Sequence, residues 1–188
     1  MTDTRVLVLV GSLRAGSVNR QLAETAVAHA PEGAELTVFD GLAVVPFYNE
    51  DVDVPGATIP GADELRAAAA AADALLLVTP EYNGTMPAVL KNAIDWISRP
   101  YGAGAVSGKP VAVISASPSP NGAQWAHAEA RKAVGIAGGK VVEDVTLSIG
   151  ATHEKFGAGH PSENAEIVAE VTKAVAELVA AAKDLVDA

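Results

Sequence analysis

The sequence predicts a doubly wound α/β domain in which five parallel strands form one sheet with helices on both faces. Three observations carry that prediction. The strongest apolar runs, Val6-Leu7-Val8-Leu9-Val10, Leu75-Leu76-Leu77-Val78 and Val111-Ala112-Val113-Ile114, are continuous rather than alternating, as strands buried on both faces of a parallel sheet are. Each run passes into a loop of Gly, Pro, Ser or Asn, followed by apolar residues at helical spacing; that alternation marks parallel strands joined by helical crossovers. Finally, 188 residues with 49% hydrophobic composition suit a single domain over 1–188 with a substantial core.

The first strand, 6–10, ends at Gly11 and leads through Ser12, Leu13, Arg14, Ala15 and Gly16 to Ser17 and Asn19, both good N-cap residues. A loop that exposes backbone N–H groups at a helix N-terminus binds an anion through those donors and the positive end of the helix dipole. The Gly11-x-x-x-x-Gly16 spacing is that of the nucleoside-triphosphate loop, but that motif continues with lysine, and Ser17 stands there instead. The dinucleotide fingerprint fails as well, because Leu13 sits where a glycine would let a pyrophosphate approach the backbone. For the residues alone two readings remain, a monophosphate cradle or a plain strand-to-helix turn with ordinary caps.

The first helix is expected over 18–30, with Leu22, Ala26 and His29 on one spacing and Ala23, Val27 and Ala30 on another, until Pro31 and Gly33 stop it. A short strand follows at 36–39. Residues 41–61 are too long for a simple connection, and such loops are functional or partner-binding. Phe47 and Tyr48 in it either form a subunit contact or pin the loop to its own domain. Asp63 is expected to cap a helix ending at 72.

The third strand, 74–79, runs into Pro80-Glu81-Tyr82-Asn83-Gly84. Pro87 then opens a helix whose Leu90, Ala93, Ile94 and Ile97 form one stripe, closed by Pro100. The fourth strand, 110–115, runs into a Ser/Pro/Asn/Gly loop ending at Gly122. The helix after it, 123–137, carries Trp125, His127, Glu129 and Arg131 and stops at Gly138-Gly139. His127 is expected at the surface or an interface, while Arg131 faces either the cleft or its helix neighbours. Glu81 and Asp95 read as an ordinary loop hydrogen bond and a helix-surface charge rather than an acid/base pair.

A fifth strand is expected over 141–147. Residues 150–161 hold His153, Glu154 and His160, whose spacing lacks the helical zinc pattern, so no metal site is predicted. Ser162 is expected to cap a last helix with Val168, Val171, Val175, Leu178, Ala182 and Leu185 toward the sheet. Ligand loops after strands one, three and four fit the flavodoxin-like order 2-1-3-4-5, in which ligands collect outside the strands' carboxyl ends.

Net charge of −10 argues against nucleic acid or an anionic membrane as partner, since both need a basic surface. With no cysteine, disulfides, thiolate metal sites and a thiol nucleophile are excluded together. The N-terminal apolar run is too short to span a membrane and lacks the flanks of a signal peptide, so a cytoplasmic location is expected.

Two long motifs then converge. Gly11-Ser12-Leu13-Arg14-Ala15-Gly16-Ser17-Val18-Asn19 and the stretch from Pro80-Glu81-Tyr82-Asn83 through Pro87 to Leu90-Lys91-Asn92-Ala93-Ile94-Asp95-Trp96, with Ser98-Arg99 and Gly108-Lys109-Pro110, resemble the NAD(P)H-dependent FMN reductases. That family has the flavodoxin-like fold and includes quinone, azo-dye and chromate reductases; the similarity covers about 5–145. The resemblance implies that Ser12, Arg14, Ser17 and Asn19 hold the FMN phosphate, with Arg20 beside them. It implies that Pro80, Glu81, Tyr82, Asn83 and Gly84 line the isoalloxazine edge and that the turn from Ser115 to Ser117 closes the ribityl or ring side. The implied reaction is hydride transfer from NAD(P)H to bound FMN, then two electrons to a small-molecule acceptor such as a quinone. No catalytic side chain is required, because the flavin carries the chemistry. A homodimer or homotetramer is implied too. The alternative is a non-catalytic FMN carrier or redox-responsive interaction protein. Gln124-Trp125-Ala126-His127 departs from the family pattern and leaves the acceptor open, as the sequence leaves NADH against NADPH.

Overall fold

A computed structural model describes residues 3–186. Its sheet is built on β1 (Thr4–Val10), β2 (Ala34–Val38), β3 (Ala74–Thr79) and β4 (Pro110–Ala116), in the order β2-β1-β3-β4 with all pairings parallel. The continuous apolar runs are explained by what lies on either side. Every residue of β3 and β4 is buried, and alternate side chains feed two cores. Leu7, Leu9, Leu75, Leu77, Val111 and Val113 meet α2 (Ala62–Ala71), α3 (Ala88–Ile97) and α4 (Gln124–Ile136). Val6, Val8, Val10, Leu76, Val78 and Ile114 meet α1 (Val18–Ala28) and α6 (Ala165–Val186). A strand period of two thus sorts one apolar run into two layers.

The expected fifth strand is broken. On the far side of β4 from β3 two short segments pair with it, β5 (Lys140–Val141) at its start and β6 (Ser148–Ile149) at its end. Between them the Arg131 guanidinium donates to the carbonyls of Val145 (2.6 Å) and Glu143 (3.1 Å) and pairs with the Glu143 carboxylate. The 143–145 backbone is thus tied to Arg131 instead of to β4. Arg131 therefore turns to the 143–145 backbone rather than to the cleft, while staying close to its helix neighbour His127.

The last helix is capped by Asn164 rather than Ser162: Asn164 Oδ1 accepts from the N–H groups of Glu166 (3.1 Å) and Ile167 (3.2 Å). Ser162 lies in a preceding 3-10 turn, bonded to His160 Nδ1 at 2.8 Å. Val171, Val175, Leu178 and Ala182 face the sheet, whereas Leu185 is exposed. A short helix, α5 (Thr152–Phe156), occupies part of the stretch expected to be loop. Likewise Gly61 stands at the cap of α2, and Asp63 accepts from the Ile59 N–H at 2.7 Å.

The long 41–61 connection is pinned by α3. Asn92 and Trp96, one turn apart, both donate to the Pro46 carbonyl, at 2.9 and 2.7 Å, and Asn92 Oδ1 accepts from the Tyr48 N–H at 2.8 Å. Tyr48 packs edge-on against Trp96, with ring centroids 5.0 Å apart. Of the two candidate rings, then, Tyr48 holds the loop to its own domain, and Phe47 is left 78% exposed. No helix among the described residues is long and apolar enough to cross a membrane.

Candidate functional site

Strand register brings three loops to one level. Val10 pairs with Val78, Val78 with Ile114 and Thr79 with Ser115, so β1, β3 and β4 release their chains side by side at their carboxyl ends.

The loop after β1 leaves its donors open. Gly11 N–H bonds Val78 O at 2.8 Å and Ser17 N–H bonds Arg14 O at 3.2 Å, and the first intrahelical bond of α1 is from Gln21 to Ser17. The N–H groups of Ser12, Leu13, Arg14, Ala15, Gly16, Val18, Asn19 and Arg20 have no acceptor among the described residues. Gly16 has φ +65°, a left-handed turn that costs glycine little. At Gly11 the reason is space, since a Cβ would stand 3.3 Å from Leu90 and 3.4 Å from Pro80. Ser17 occupies the N-cap position but makes no side-chain capping bond. Arg14 is exposed, and among the described residues its guanidinium bonds only the neighbouring Ala15 carbonyl, at 3.4 Å.

Asn19 and Arg20 are placed differently. The Asn19 amide is buried and donates to Ala116 O (3.0 Å) while accepting from Ala116 N–H (3.1 Å), which fastens α1 to the end of β4. Arg20 pairs with Glu24 at 2.9 Å and with Asp40.

The loop after β3 is a tight hairpin. Tyr82 and Thr85 exchange both backbone bonds, at 3.0 and 3.2 Å, around Asn83 (φ 53°) and Gly84 (φ +77°). Two central residues with positive φ define a type I′ turn, and Asn-Gly is its preferred sequence. Tyr82 is exposed at the turn and Pro80 is half-buried. Glu81 has a job that the sequence did not announce. One carboxylate oxygen accepts from the N–H groups of Trp125 (3.1 Å) and Ala126 (3.2 Å), the first turn of α4. Its own preceding residue cannot cap that helix, because Ala123 has no polar side chain and sits at φ 65°. With Gln124 N–H bonded to Asn121 O at 3.2 Å, the N-terminus of α4 is closed. That of α1 is open.

The loop after β4 rests on a buried polar cluster. Ser115 Oγ lies 2.7 Å from Gly122 O, 2.9 Å from Ser148 Oγ and 3.4 Å from His127 Nδ1, and Ser148 Oγ is 3.2 Å from the same nitrogen. Ser117 receives the Ser119 N–H at 3.0 Å and donates its own N–H to Ile149 O. His127 is therefore an interior residue, 6% exposed, and not the expected surface histidine. Burial first, and then the nearby Arg131 charge, push its pKa down to about 4 against a partly compensating bond to the Leu147 backbone. Its burial could not be read from the helix alone, because β6 supplies the covering serine.

His160 bonds Ser162, its other nitrogen lies 3.5 Å from Glu24, and Asp95 pairs with Lys91 at 2.6 Å. A wider groove of about 680 Å³ runs between α3 and α4, lined by Lys91, Arg99, Tyr101, Lys132 and Ile136, away from the strand ends.

The chain is similar in sequence and in fold to known proteins. The profile described as NADPH-dependent FMN reductase matches residues 4–154. An NAD(P)H-dependent FMN reductase of Pseudomonas aeruginosa is 46% identical over 115 residues, 61% of this chain and 60% of that protein. A quinone reductase of Pseudomonas putida is 43% identical over 132 residues, 69% of this chain and 68% of the relative. Among solved structures, a flavoenzyme NAD(P)H:(acceptor) oxidoreductase of Paracoccus denitrificans superposes with TM-score 0.82 at 31% identity, covering 96% of this chain and 98% of the other.

Proposed function

Because the chain belongs to the NADPH-dependent FMN reductase family, we propose that it is an FMN-dependent NAD(P)H oxidoreductase with the flavin phosphate on the 12–20 loop. One observation carries the placement: α1 presents an open N-terminus at the strand edge, whereas the neighbouring α4 N-terminus is closed by Glu81. Unbonded N–H groups that converge on a helix start form an anion site. Their donor chemistry suits a phosphate monoester, as does an exposed guanidinium with no carboxylate partner among the described residues.

In this reading Ser12, Arg14 and Ser17 touch the phosphate. Asn19 and Ser115 act through position, the first by tying α1 to Ala116 and the second by holding Gly122 and Ser148. Arg20 shapes the rim through Glu24 and Asp40. The 80–84 hairpin and Ser117 border the flavin ring; Tyr82 offers it an aromatic face, and Glu81 keeps the hairpin against α4. Bound there, FMN would supply the chemistry of accepting a hydride from NAD(P)H and of passing two electrons to an acceptor. The side chains orient it and exclude water, and the backbone of the 12–20 loop supplies N–H donors. The acceptor is a small molecule of the quinone class, given what the Pseudomonas putida relative reduces, and the protein works in the cytoplasm as a homodimer or homotetramer.

Anaerobic addition of NADH or NADPH to the FMN-loaded protein tests the reading, and bleaching of the flavin absorption is expected. Bound flavin that neither nucleotide bleaches would support the non-catalytic carrier instead. Titration of FMN into variants tests the placement. Arg14→Ala is expected to weaken binding roughly tenfold or more, the loss of a charge-assisted contact. Arg20→Ala is expected to weaken it much less; equal affinities in both variants would refute the assignment.

A further inference from the structure

Trp125 has no role in the cofactor site above. It stands on the first turn of α4, 63% exposed. The side chain is out in solvent, yet its backbone is fixed: Glu81 receives the Trp125 N–H at 3.1 Å and the Ala126 N–H at 3.2 Å. Its ring lies against the hairpin, with Cε3 3.8 Å from the point a Cβ on Gly84 would occupy. Tyr82, 49% exposed, precedes that same turn. Two large rings are thus displayed at the strand edge where Arg14 and the open α1 N-terminus also lie.

Some of the polar groups nearest these rings are engaged. One Glu81 carboxylate oxygen is bonded to α4, Asn121 Oδ1 accepts from Ala123 N–H at 3.2 Å, and His127 is buried beneath. In the proposed site Arg14 and the open α1 N–H groups are taken by the phosphate. What Trp125 and Tyr82 add is flat and apolar. Such a surface gains by covering a planar, uncharged molecule, and the two rings offer little to a small oxyanion, which needs donors.

From this we infer that Trp125 is a specificity-determining residue: its ring forms one wall of the acceptor site and selects planar aromatic acceptors of the quinone class over compact ionic ones. The inference rests on the oxidoreductase reading. Because Glu81 holds backbone N–H groups and not the indole, truncating the side chain leaves the α4 cap intact.

Holoenzyme variants Trp125→Ala and Trp125→Phe test it by steady-state reduction of a naphthoquinone and of ferricyanide. In Trp125→Ala the ratio of kcat/KM for naphthoquinone to that for ferricyanide is expected to fall about tenfold, through KM, as the loss of an aromatic contact implies. Trp125→Phe should recover most of the ratio. A second reading uses the wild-type protein without nucleotide. Its two tryptophans separate by environment, since Trp96 is fully buried, and titrated naphthoquinone should quench the red-edge emission of Trp125 saturably. An unchanged ratio in Trp125→Ala, or a strictly linear quench, would overturn the inference. Failure of NADH and NADPH to reduce the wild-type flavin would instead overturn the enzyme reading beneath it.

Discussion

Replacing His127 by glutamine gives a pH-dependent stability difference whose size follows from its burial. In the folded chain His127 titrates near 4, because desolvation and the Arg131 charge disfavour the imidazolium. In the unfolded chain an ordinary histidine titrates near 6.5. Above pH 6.5 neither state holds the proton and the residue contributes no pH dependence. Between 6.5 and 4 the unfolded state takes up a proton that the folded state refuses, so stability falls as pH falls. Linkage between those two pKa values gives a loss of about 1.3 kcal/mol from pH 7.5 to pH 5.5. That window stays above the pI near 4.7, where the near-neutral chain would precipitate. Other groups titrate too, and His127→Gln removes them by subtraction while leaving a polar side chain opposite Ser115 and Ser148. Urea unfolding of both proteins at the two pH values is the assay. The variant is expected to be less stable at pH 7.5 and to lose about 1.3 kcal/mol less on acidification. Parallel changes in the two proteins would refute the account of His127 as an interior, neutral imidazole.

Two further substitutions separate scaffold from site. Glu81→Ala strips two N–H groups at the start of α4 of their acceptor and should cost about 1–2 kcal/mol in urea unfolding, with weaker FMN binding by titration as the hairpin loses its anchor. Lys109 donates to the Ala69, Ala70 and Ala72 carbonyls at 2.6, 2.8 and 2.5 Å, which caps the end of α2. Lys109→Met keeps the stem but not the cap, so a loss of about 1–3 kcal/mol is expected in the same assay. Its FMN affinity should be unaltered, because Lys109 lies at the amino end of β4, opposite the carboxyl ends that carry the proposed site.

What could be read from the sequence was whatever short-range patterning decides. Unbroken apolar runs located β1, β3 and β4, and Gly, Pro and Asn marked the loops that leave them, so the sheet order and the shared edge were legible. The misses share a different cause, a partner distant in sequence. Residues 141–147 look like a strand, but Arg131, more than ten positions earlier, takes their carbonyls. Ser162 and Asn164 are equally good caps on paper; the His160 bond to Ser162 commits the first to a 3-10 turn and leaves the helix to the second. Glu81 reads as a loop carboxylate until a helix start 44 positions away is brought beneath it.

The same distinction divides the motifs themselves. Asn92, Trp96 and Lys109 have their polar atoms committed to carbonyls of the 41–61 connection or of α2, and Asn19 and Glu81 join loops that the sequence keeps apart. Arg14, Ser12, Ser17 and the N–H groups around them are the parts left uncommitted. Among the described arginines, Arg5, Arg20, Arg66 and Arg131 are neutralised by carboxylates, and Arg99 lies over the Tyr48 ring. In a chain of net charge −10, long-range attraction cannot gather an anion, so capture must be local. In the proposed site the open backbone donors of the 12–20 loop, with the Arg14 guanidinium, would achieve that without a basic surface, and the acidic exterior would disfavour polyanions while a single phosphate group is still accommodated.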